Sequence, residues 1–144
     1  MHWIDKEVKF LMEKYQTTDP FKLADCLNYT LLPYPFQRIR GMLLVVQGVT
    51  IIGYSTSISR RHQGFVILHE IAHRRLHQGL NYFMVLENSL YPPGKFERQA
   101  NRFVACLVPT ERMPQSGETI YDFATRYGVP VDVLREIEEV YGVK

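Results

Sequence analysis

The chain has 144 residues, 46% of them hydrophobic and 22% charged, a composition typical of a globular protein and unlike that of disordered, collagenous or membrane proteins. Its formal net charge is only +2, so charge gives no indication of binding to nucleic acid or to a membrane surface. The two cysteines, Cys26 and Cys106, form neither a CxxC motif nor a disulfide framework, which favours the reducing cytoplasm. Because the N-terminus is charged and no apolar run approaches about 20 residues, we expect neither secretion nor insertion into a membrane.

Two amphipathic helices are predicted near the N-terminus. Apolar side chains recur at helical spacing from Trp3 to Tyr15, with charged residues between them, as in a helix that packs one face on a core. Asp19 and Pro20 supply an N-cap and a first-turn proline for a second, short helix that ends near Asn28. Both helices are expected to contribute to the core.

A small sheet is predicted to follow. Prolines at positions 33 and 35 exclude a central strand position for residues 30–36, which we expect to form an edge or a connector. The apolar runs Met42–Val46 and Val49–Tyr54 are separated by Gln47-Gly48, a sequence that predicts an antiparallel hairpin.

Helices dominate the second half of the chain. After a polar and basic stretch from Ser57 to Gly64, apolar residues recur at helical spacing until a glycine stops the helix. A long loop between residues 80 and 95 precedes further helices, and the tail is broken at residues 128–130 by Gly-Val-Pro. The predicted elements are a helix at Phe65–His77, a short strand at Tyr82–Leu86, a helix at Phe96–Leu107 and two helices between Thr119 and Tyr141.

The helix at Phe65–His77 contains the motif HExxH at positions 69–73. Residues four apart lie on the same face of a helix, so the imidazoles of His69 and His73 can share one tetrahedral Zn²⁺. Glu70 leans beside this pair, where its carboxylate can take a proton from a metal-bound water and pass it to a leaving amine. The motif therefore indicates a zinc-dependent hydrolase if a third ligand follows.

Glu97 is the residue we predict as the third zinc ligand. It lies 24 residues after His73 at the start of a predicted helix, and the small Ala100 one turn later allows two helices to approach closely. Glu87 and His77 are rival ligands. Because His77 lies one turn beyond His73, about 6 Å further along the helix axis, we expect it off the metal, in a supporting or surface position.

The group that stabilises the oxyanion in such a hydrolase is left open by the sequence. His62, Tyr54, Tyr82 and Tyr91 each carry a hydrogen-bond donor of the required kind. Most tyrosines of a small protein belong to its core or rim, so none of the four is selected.

With these motifs the chain resembles the ImmA/IrrE family of HExxH zinc metallopeptidases, gluzincin-like proteins of bacteria and their mobile elements. The resemblance rests on residues 65–77 and on residues 97–109, where a glutamate is followed by an Ala-Asn pair and a helix that ends at proline. The order of the predicted elements agrees as well, so the resemblance covers most of the chain. Ala72 stands where the family commonly has glycine, and both residues are small enough for close packing behind the metal.

The resemblance implies a zinc metalloendopeptidase with one Zn²⁺ per chain, held by His69, His73 and Glu97, and with Glu70 as the general base. The usual function in the family is cleavage of a helix-turn-helix transcriptional repressor, which would make the protein a cytoplasmic antirepressor of a phage or mobile element. The partner would then be a protein substrate. The alternative is a zinc-stabilised binding or sensor module that acts by protein contact without proteolysis.

The tail has a pattern that needs a separate interpretation. Ala124, Gly128, Leu134 and Ile137 fall at the offsets of a DNA-binding helix-turn-helix. Residues 117–144, however, contain six acidic and three basic side chains, and an acidic second helix is repelled by DNA phosphates. We therefore expect the tail to serve as structural packing or as a partner surface, with no direct binding to nucleic acid.

The fold class that these elements predict is α+β. We expect a small antiparallel or mixed sheet packed on the zinc-binding HExxH helix with flanking helices, a minimal zincin-like arrangement in one domain over residues 1–144 with a helical tail from about residue 117. The strand Val49–Tyr54 is predicted to offer its edge to an extended peptide substrate. Selectivity is expected to depend on docking of a folded partner, and the candidate surfaces are the basic segment Ser59–Gln63, the long loop Leu80–Lys95 and the acidic terminal helix.

Overall fold

The structure is a computed structural model that describes residues 2–79, 82–85, 94–107, 116–127 and 133–136, with only the backbone described for residues 82–85, 120, 124 and 127. A mixed sheet packs on a central helix and further helices surround them, so the predicted α+β fold is confirmed. None of the helices in the described part of the chain is long and apolar enough to cross a membrane. The elements are α1 (Trp3–Tyr15), α2 (Pro20–Cys26), β1 (Thr30–Tyr34), β2 (Ile39–Val46), β3 (Val49–Ser55), α3 (Arg60–Leu76), β4 (Tyr82–Val85), α4 (Lys95–Cys106) and α5 (Ile120–Tyr127).

The two N-terminal helices form as their sequences predict. α1 buries Ile4, Val8 and Leu11 on one face, which is the apolar stripe expected of an amphipathic helix. At the start of α2, the carboxylate of Asp19 accepts hydrogen bonds from two backbone N–H groups of the first turn. Asn28 follows the helix with a φ of 62°, a left-handed conformation that asparagine tolerates at helix ends.

The sheet has the strand order β1-β3-β2-β4. β2 and β3 are antiparallel, and the turn between them places Gln47 and Gly48 at φ values of 51° and 80°, as the two central residues of a tight hairpin require. The predicted hairpin is therefore confirmed. β4 pairs antiparallel with β2, whereas β1 pairs parallel with β3.

The prediction that Val49–Tyr54 forms an edge strand is wrong. β3 lies in the interior of the sheet, with β1 on one side and β2 on the other. β1 itself occupies an edge, where Pro33 is tolerated because a proline lacks only one ladder donor. The predicted edge position of this segment is confirmed, and the second edge is β4.

α3 begins five residues earlier than its apolar pattern indicates, at Arg60. The hydroxyl of Ser59 caps it by accepting a hydrogen bond from the backbone N–H of His62 at 3.2 Å, and the guanidinium of Arg60 stacks over the ring of Phe21 at 3.5 Å from its centroid. A polar first turn is stable here because the cap and the ring contact replace apolar burial.

α3 lies very close to β2 because position 41 is a glycine. A Cβ at Gly41 would overlap Cγ1 of Val66 and would lie 3.0 Å from the carbonyl oxygen of Gly53. The same hypothetical Cβ would lie 3.8 Å from Cγ of Glu70. The glycine thus allows the helix that carries the HExxH motif to rest directly on the sheet.

α1 connects the two helices that carry the predicted site. Asp5 accepts two hydrogen bonds of 3.0 Å from the guanidinium of Arg102 on α4. Glu7, two residues further along α1, places its Oε1 2.7 Å from Nη2 of Arg75 on α3. These pairs fix α3 and α4 relative to a common neighbour.

The tail packs on the rest of the protein where the structure describes it. α5 confirms the first of the two predicted tail helices, and residues 133–136 are helical as well. Phe123 and Leu134 are 0% and 2% exposed, as expected for structural packing. The predicted break at residues 128–130 lies outside the described residues.

Candidate metal centre

His69 and His73 lie next to each other on the inner face of α3. Their side chains are 5% and 0% exposed, and their Nε2 atoms are 3.1 Å apart. The two imidazoles meet edge to face, with an interplanar angle of 71°. The helix therefore presents two nitrogen atoms to one point, as the four-residue spacing predicts.

α4 brings the carboxylate of Glu97 to the same point. Oε1 of Glu97 lies 2.8 Å from Nε2 of His73, and Oε2 lies 3.2 Å from Nε2 of His69. Ala100, one turn further along α4, is completely buried, so the small side chain predicted at the contact between the helices is found there. Among the described residues, His69, His73 and Glu97 form the group that could hold a metal ion.

The spacing of these three donors fits a tetrahedral cation. Ligand atoms at zinc bond lengths are separated by about 3.3 Å along the edges of a tetrahedron. The distances between Nε2 of His69, Nε2 of His73 and the carboxylate of Glu97 are 2.8–3.2 Å, which is close to that separation. Two imidazoles and one carboxylate are also a donor set that zinc uses in catalytic sites.

Glu70 provides a second indication that the site beside His69 and His73 binds a ligand. Its side chain is 0% exposed, and neither carboxylate oxygen has a hydrogen-bond partner within the described part of the protein. Buried polar atoms are almost always paired with protein or with ordered water. The carboxylate of Glu70 is therefore placed to bind something else, such as a water molecule in the site.

Burial shifts the pKa values of two side chains in the site. Burial, with a smaller contribution from the charge of Glu97, raises the pKa of Glu70 well above its ordinary value. Burial lowers the pKa of His73, although the carboxylate of Glu97 acts in the opposite direction. A neutral imidazole is the form that binds a metal, and a carboxylate with a raised pKa is the better proton acceptor.

His77 supports His73 and is not on the surface. It is 7% exposed, and its Nδ1 lies 2.9 Å from Nδ1 of His73. On its other side, Nε2 of His77 lies 2.7 Å from Oε1 of Gln99 on α4. As expected, His77 lies outside the group formed by His69, His73 and Glu97. The alternative that His77 lies on the surface is wrong. Sequence analysis missed its contact with Gln99.

The other candidates are placed as follows. Tyr54 is buried, and its ring packs edge-on against Phe21 with 5.9 Å between the centroids. His62 pairs with the hydroxyl of Ser59 at the start of α3, with 3.1 Å between Nδ1 and Oγ. The structure does not describe the side chains of the rival ligand Glu87 and of the two other tyrosines, Tyr82 and Tyr91.

Comparison with known proteins relates the whole arrangement to a family. Residues 28–136 match the family model described as the IrrE N-terminal-like domain, of peptidase family M78. The chain is 28% identical over 144 residues to the uncharacterized immunity region protein 2 of Bacillus phage phi105, covering 95% of this chain and 91% of that protein. It is 27% identical over 110 residues to the metallopeptidase ImmA of Bacillus subtilis (strain 168), covering 76% of this chain and 65% of ImmA. No solved structure matches the chain.

Proposed function

Because the chain belongs to the IrrE N-terminal-like family of M78 peptidases, we propose that it is a zinc-dependent endopeptidase that hydrolyses one or a few bonds in a protein substrate. The observation that carries the proposal is the meeting of His69, His73 and Glu97 within 4.8 Å of one another. Glu70, buried beside them without a protein partner among the described residues, supplies the proton-transfer group that hydrolysis needs.

His69, His73 and Glu97 would hold the metal, one ion per chain. When bound, Zn²⁺ supplies a Lewis acid that activates a water molecule and polarises the carbonyl of the scissile bond. The chain contributes the orientation of that chemistry: α3 fixes the two imidazoles and α4 fixes the carboxylate. No covalent intermediate with the protein is required, because water is the nucleophile.

Glu70 would act as general base and then as general acid. Its carboxylate takes a proton from the attacking water and delivers the proton to the nitrogen of the leaving amine. Burial raises the pKa of Glu70, which makes proton uptake more favourable than for an exposed glutamate. Glu70 lies where α3 packs on Gly41 of the sheet, so its side chain begins in a closely packed contact.

The sheet edge nearest to Glu70 is β4, and we propose that the substrate pairs with that strand. Gly41, which lies against Glu70, pairs with Met84 in the register of β2 and β4. β1, at the opposite edge, is separated from β2 by β3. An extended peptide added to β4 would therefore run closer to the site than one added to β1.

The proposed substrate is a helix-turn-helix transcriptional repressor of a phage or mobile element, cleaved in the cytoplasm. One relative is named as a protein of a phage immunity region, and it matches this chain over nearly its whole length. The other is named as a metallopeptidase, although this chain spans only 65% of its length. These two names together support a peptidase that acts on a protein component of an immunity system.

The test uses the purified protein, loaded with zinc, and a repressor encoded in a neighbouring reading frame. Mass spectrometry of the products should locate one or a few cleaved bonds. Glu70→Gln should retain zinc and lose cleavage, because the amide keeps the shape of the carboxylate but takes up no proton. Glu13→Gln, a change at an exposed residue of α1, is the matched control and should cleave normally.

The same variant separates proteolysis from the alternative function. If Glu70→Gln relieves repression as well as the wild-type protein does, the chain acts by contact as a binding module. If the protein binds duplex DNA with an affinity that falls steeply with salt, the interpretation of the tail as a non-DNA surface is wrong. If neither cleavage nor relief of repression occurs with any neighbouring regulator, the proposed substrate class is wrong.

A further inference from the structure

A chain of close polar contacts leads from the candidate metal centre to α4. Nδ1 of His73 lies 2.9 Å from Nδ1 of His77, and Nε2 of His77 lies 2.7 Å from Oε1 of Gln99. Both distances are within hydrogen-bond range. Each of these two hydrogen bonds needs one hydrogen atom. The chemistry of His73, His77 and Gln99 limits which atom can carry it.

The acceptor at the end of the chain fixes the direction of both hydrogen bonds. The amide oxygen Oε1 of Gln99 accepts and never donates, so Nε2 of His77 must carry a hydrogen. A neutral imidazole has a single N–H, which leaves Nδ1 of His77 as an acceptor. Nδ1 of His73 then donates to it.

The same count leaves Nε2 of His73 without a hydrogen. This nitrogen lies 2.8 Å from Oε1 of Glu97 and 3.1 Å from Nε2 of His69, at the point where the three donors meet. Only a ring nitrogen with a free lone pair can bind a metal. In this arrangement the amide of Gln99, which does not touch His73, would leave His73 in the tautomer that can bind a metal.

His77 is held firmly enough to perform this role. Its ring stacks on Phe96, with 4.1 Å between the centroids and 25° between the planes, and its backbone N–H donates to the carbonyl of His73. Phe96 and Gln99 are one turn apart on α4. The helix that brings Glu97 to the site therefore also brings the two groups that orient His77.

We propose that His77 and Gln99 are positioning residues that hold His73 in the tautomer with a free Nε2. Such outer partners of a ligating histidine are usually a carboxylate, a backbone carbonyl or water, and their loss typically weakens metal binding by about 10–100-fold. Here the outer partner of His73 is a second histidine, His77, whose own tautomer is set by its hydrogen bond to Gln99. The inference rests on the proposed zinc site and extends it to two residues that do not touch the metal.

The first test measures zinc affinity of the full chain by competition with a chelator. His77→Leu removes the acceptor for Nδ1 of His73 and should weaken binding by about 10–100-fold, whereas His77→Asn, whose amide oxygen can accept, should recover part of the loss. Gln99→Leu should also weaken binding, because His77 is then free to adopt the opposite tautomer. Circular dichroism confirms that each variant is folded.

Gln99→Glu is the sharpest substitution because a carboxylate can only accept. It should bind zinc at least as tightly as the wild type. Gln78→Glu places the same charge at the exposed residue next to His77 without touching Nε2, and it controls for simple attraction of the cation. A loss of zinc binding in Gln99→Glu, or an equal gain in Gln78→Glu, would overturn the proposed direction of the hydrogen bonds.

The second test reads the tautomers directly and needs no variant. Long-range ¹H–¹⁵N spectra of histidine-labelled wild-type protein, without metal and with zinc, should show His77 with its proton on Nε2. A proton on Nδ1 of His77 would overturn the inference. If the wild type binds no zinc at all, the proposed function fails. If it binds zinc and cleaves its substrate while His77→Leu and Gln99→Leu bind zinc normally, only the positioning inference fails.

Discussion

Oε1 of Glu97 lies 2.8 Å from Nε2 of His73, although the two residues belong to different helices and are 24 positions apart in the chain. The carboxylate and the imidazole meet through a single contact, and Nε2 of His69 is only 3.1 Å from the same nitrogen. A cation shared by the three side chains would replace that single contact with three bonds. The arrangement therefore makes Glu97 the residue on which metal binding should depend most clearly.

Glu97→Ala should weaken zinc binding far more than Glu87→Ala. The loss should exceed the roughly 10–100-fold effect expected for outer partners of a ligand, because one of three protein ligands is removed. Competition with a chelator measures both affinities under the same conditions. An equal loss in the two variants, or a larger loss in Glu87→Ala, would make Glu87 the ligand.

Removal of zinc should lower the stability of the protein without unfolding it. The core of the described residues is assembled from apolar side chains on helices and strands, and a chain of this length buries roughly two thirds of its unfolded surface. At a free zinc concentration 1,000 times the Kd, binding adds about 4 kcal/mol, which corresponds to roughly 8–16 °C in Tm.

Thermal unfolding monitored by circular dichroism checks this expectation. A chelator should lower the Tm of the wild type and leave that of Glu97→Ala nearly unchanged. A random-coil spectrum after chelation at 25 °C would show that the fold itself depends on the metal, contrary to the prediction.

The residues of the candidate site were accessible to sequence analysis because most of the relevant spacing is local. His69 and His73 are one turn apart on a single helix, and Glu97 opens another helix whose small Ala100 permits a close approach. The contact between His77 and Gln99 was not accessible, because it joins residues 22 positions apart and the spacing within either segment does not indicate the partner in the other. The four-residue spacing of His73 and His77 indicated that their side chains lie on the same face of the helix. It did not indicate that Gln99 on α4 is the partner of His77.

The order of the strands in the sheet also could not be predicted from the sequence. Alternation of apolar and polar residues indicates which side chains face the core, but it does not select the neighbour of a strand. β1 pairs with β3 as a parallel neighbour, so the apolar run Val49–Tyr54 lies in the interior of the sheet. The early start of α3 did have a sequence signal, the capping residue Ser59, which the apolar pattern alone does not contain.

Gly41→Ala should destabilise the protein by about 1–3 kcal/mol, as overpacking of a core typically does. The added methyl group would overlap Cγ1 of Val66 and press α3 away from β2. Because Glu70 lies on the same side of the helix contact, cleavage should also slow. Denaturant unfolding of the metal-free protein measures the stability change.

A double substitution identifies the cause of that loss. Val66→Ala creates space at the contact, so Gly41→Ala should cost less in a Val66→Ala background than in the wild type. Gly94→Ala is a suitable control, since no atom of the described residues lies within 4 Å of its hypothetical Cβ. Additive effects of Gly41→Ala and Val66→Ala would show that the overlap is not the reason for the destabilisation.

Asp5→Asn should lower stability at neutral pH and have no effect in strong acid. The hydrogen bonds from Arg102 hold the pKa of Asp5 below its ordinary value of 3.8, although burial acts in the opposite direction. A lowered pKa of a carboxyl group adds stability above the ordinary pKa, and this contribution is lost as the pH falls through the pKa of the folded state. Because the pair is partly exposed, we expect about 1 kcal/mol at pH 7.

Urea unfolding between pH 7 and pH 2 follows this contribution. The curves of wild type and Asp5→Asn should converge at the acidic end of the range. Glu13→Gln, which affects an exposed pair with 3.9 Å between Lys9 and Glu13, should change stability by much less at every pH. A difference between wild type and Asp5→Asn that is independent of pH would argue against the ion pair as its source.

The last prediction concerns how the substrate is selected. We expect selectivity to come from docking of a folded partner, which raises the local concentration of one peptide bond. We therefore expect weak or undetectable cleavage of casein beside efficient cleavage of the cognate repressor. Rapid digestion of casein that Glu70→Gln abolishes would contradict this and would indicate a general peptidase.

The basic start of α3 is the surface on which this docking can be tested. Arg60 covers the ring of Phe21, so reversal of its charge also removes a packing contact and is the less informative change. Arg61 is exposed, and its guanidinium donates a hydrogen bond of 3.5 Å to the backbone carbonyl of Arg126. Arg61→Glu should slow cleavage of the repressor several-fold, more strongly at low salt, without loss of zinc. An unchanged rate over the whole salt range would exclude this surface as the docking site.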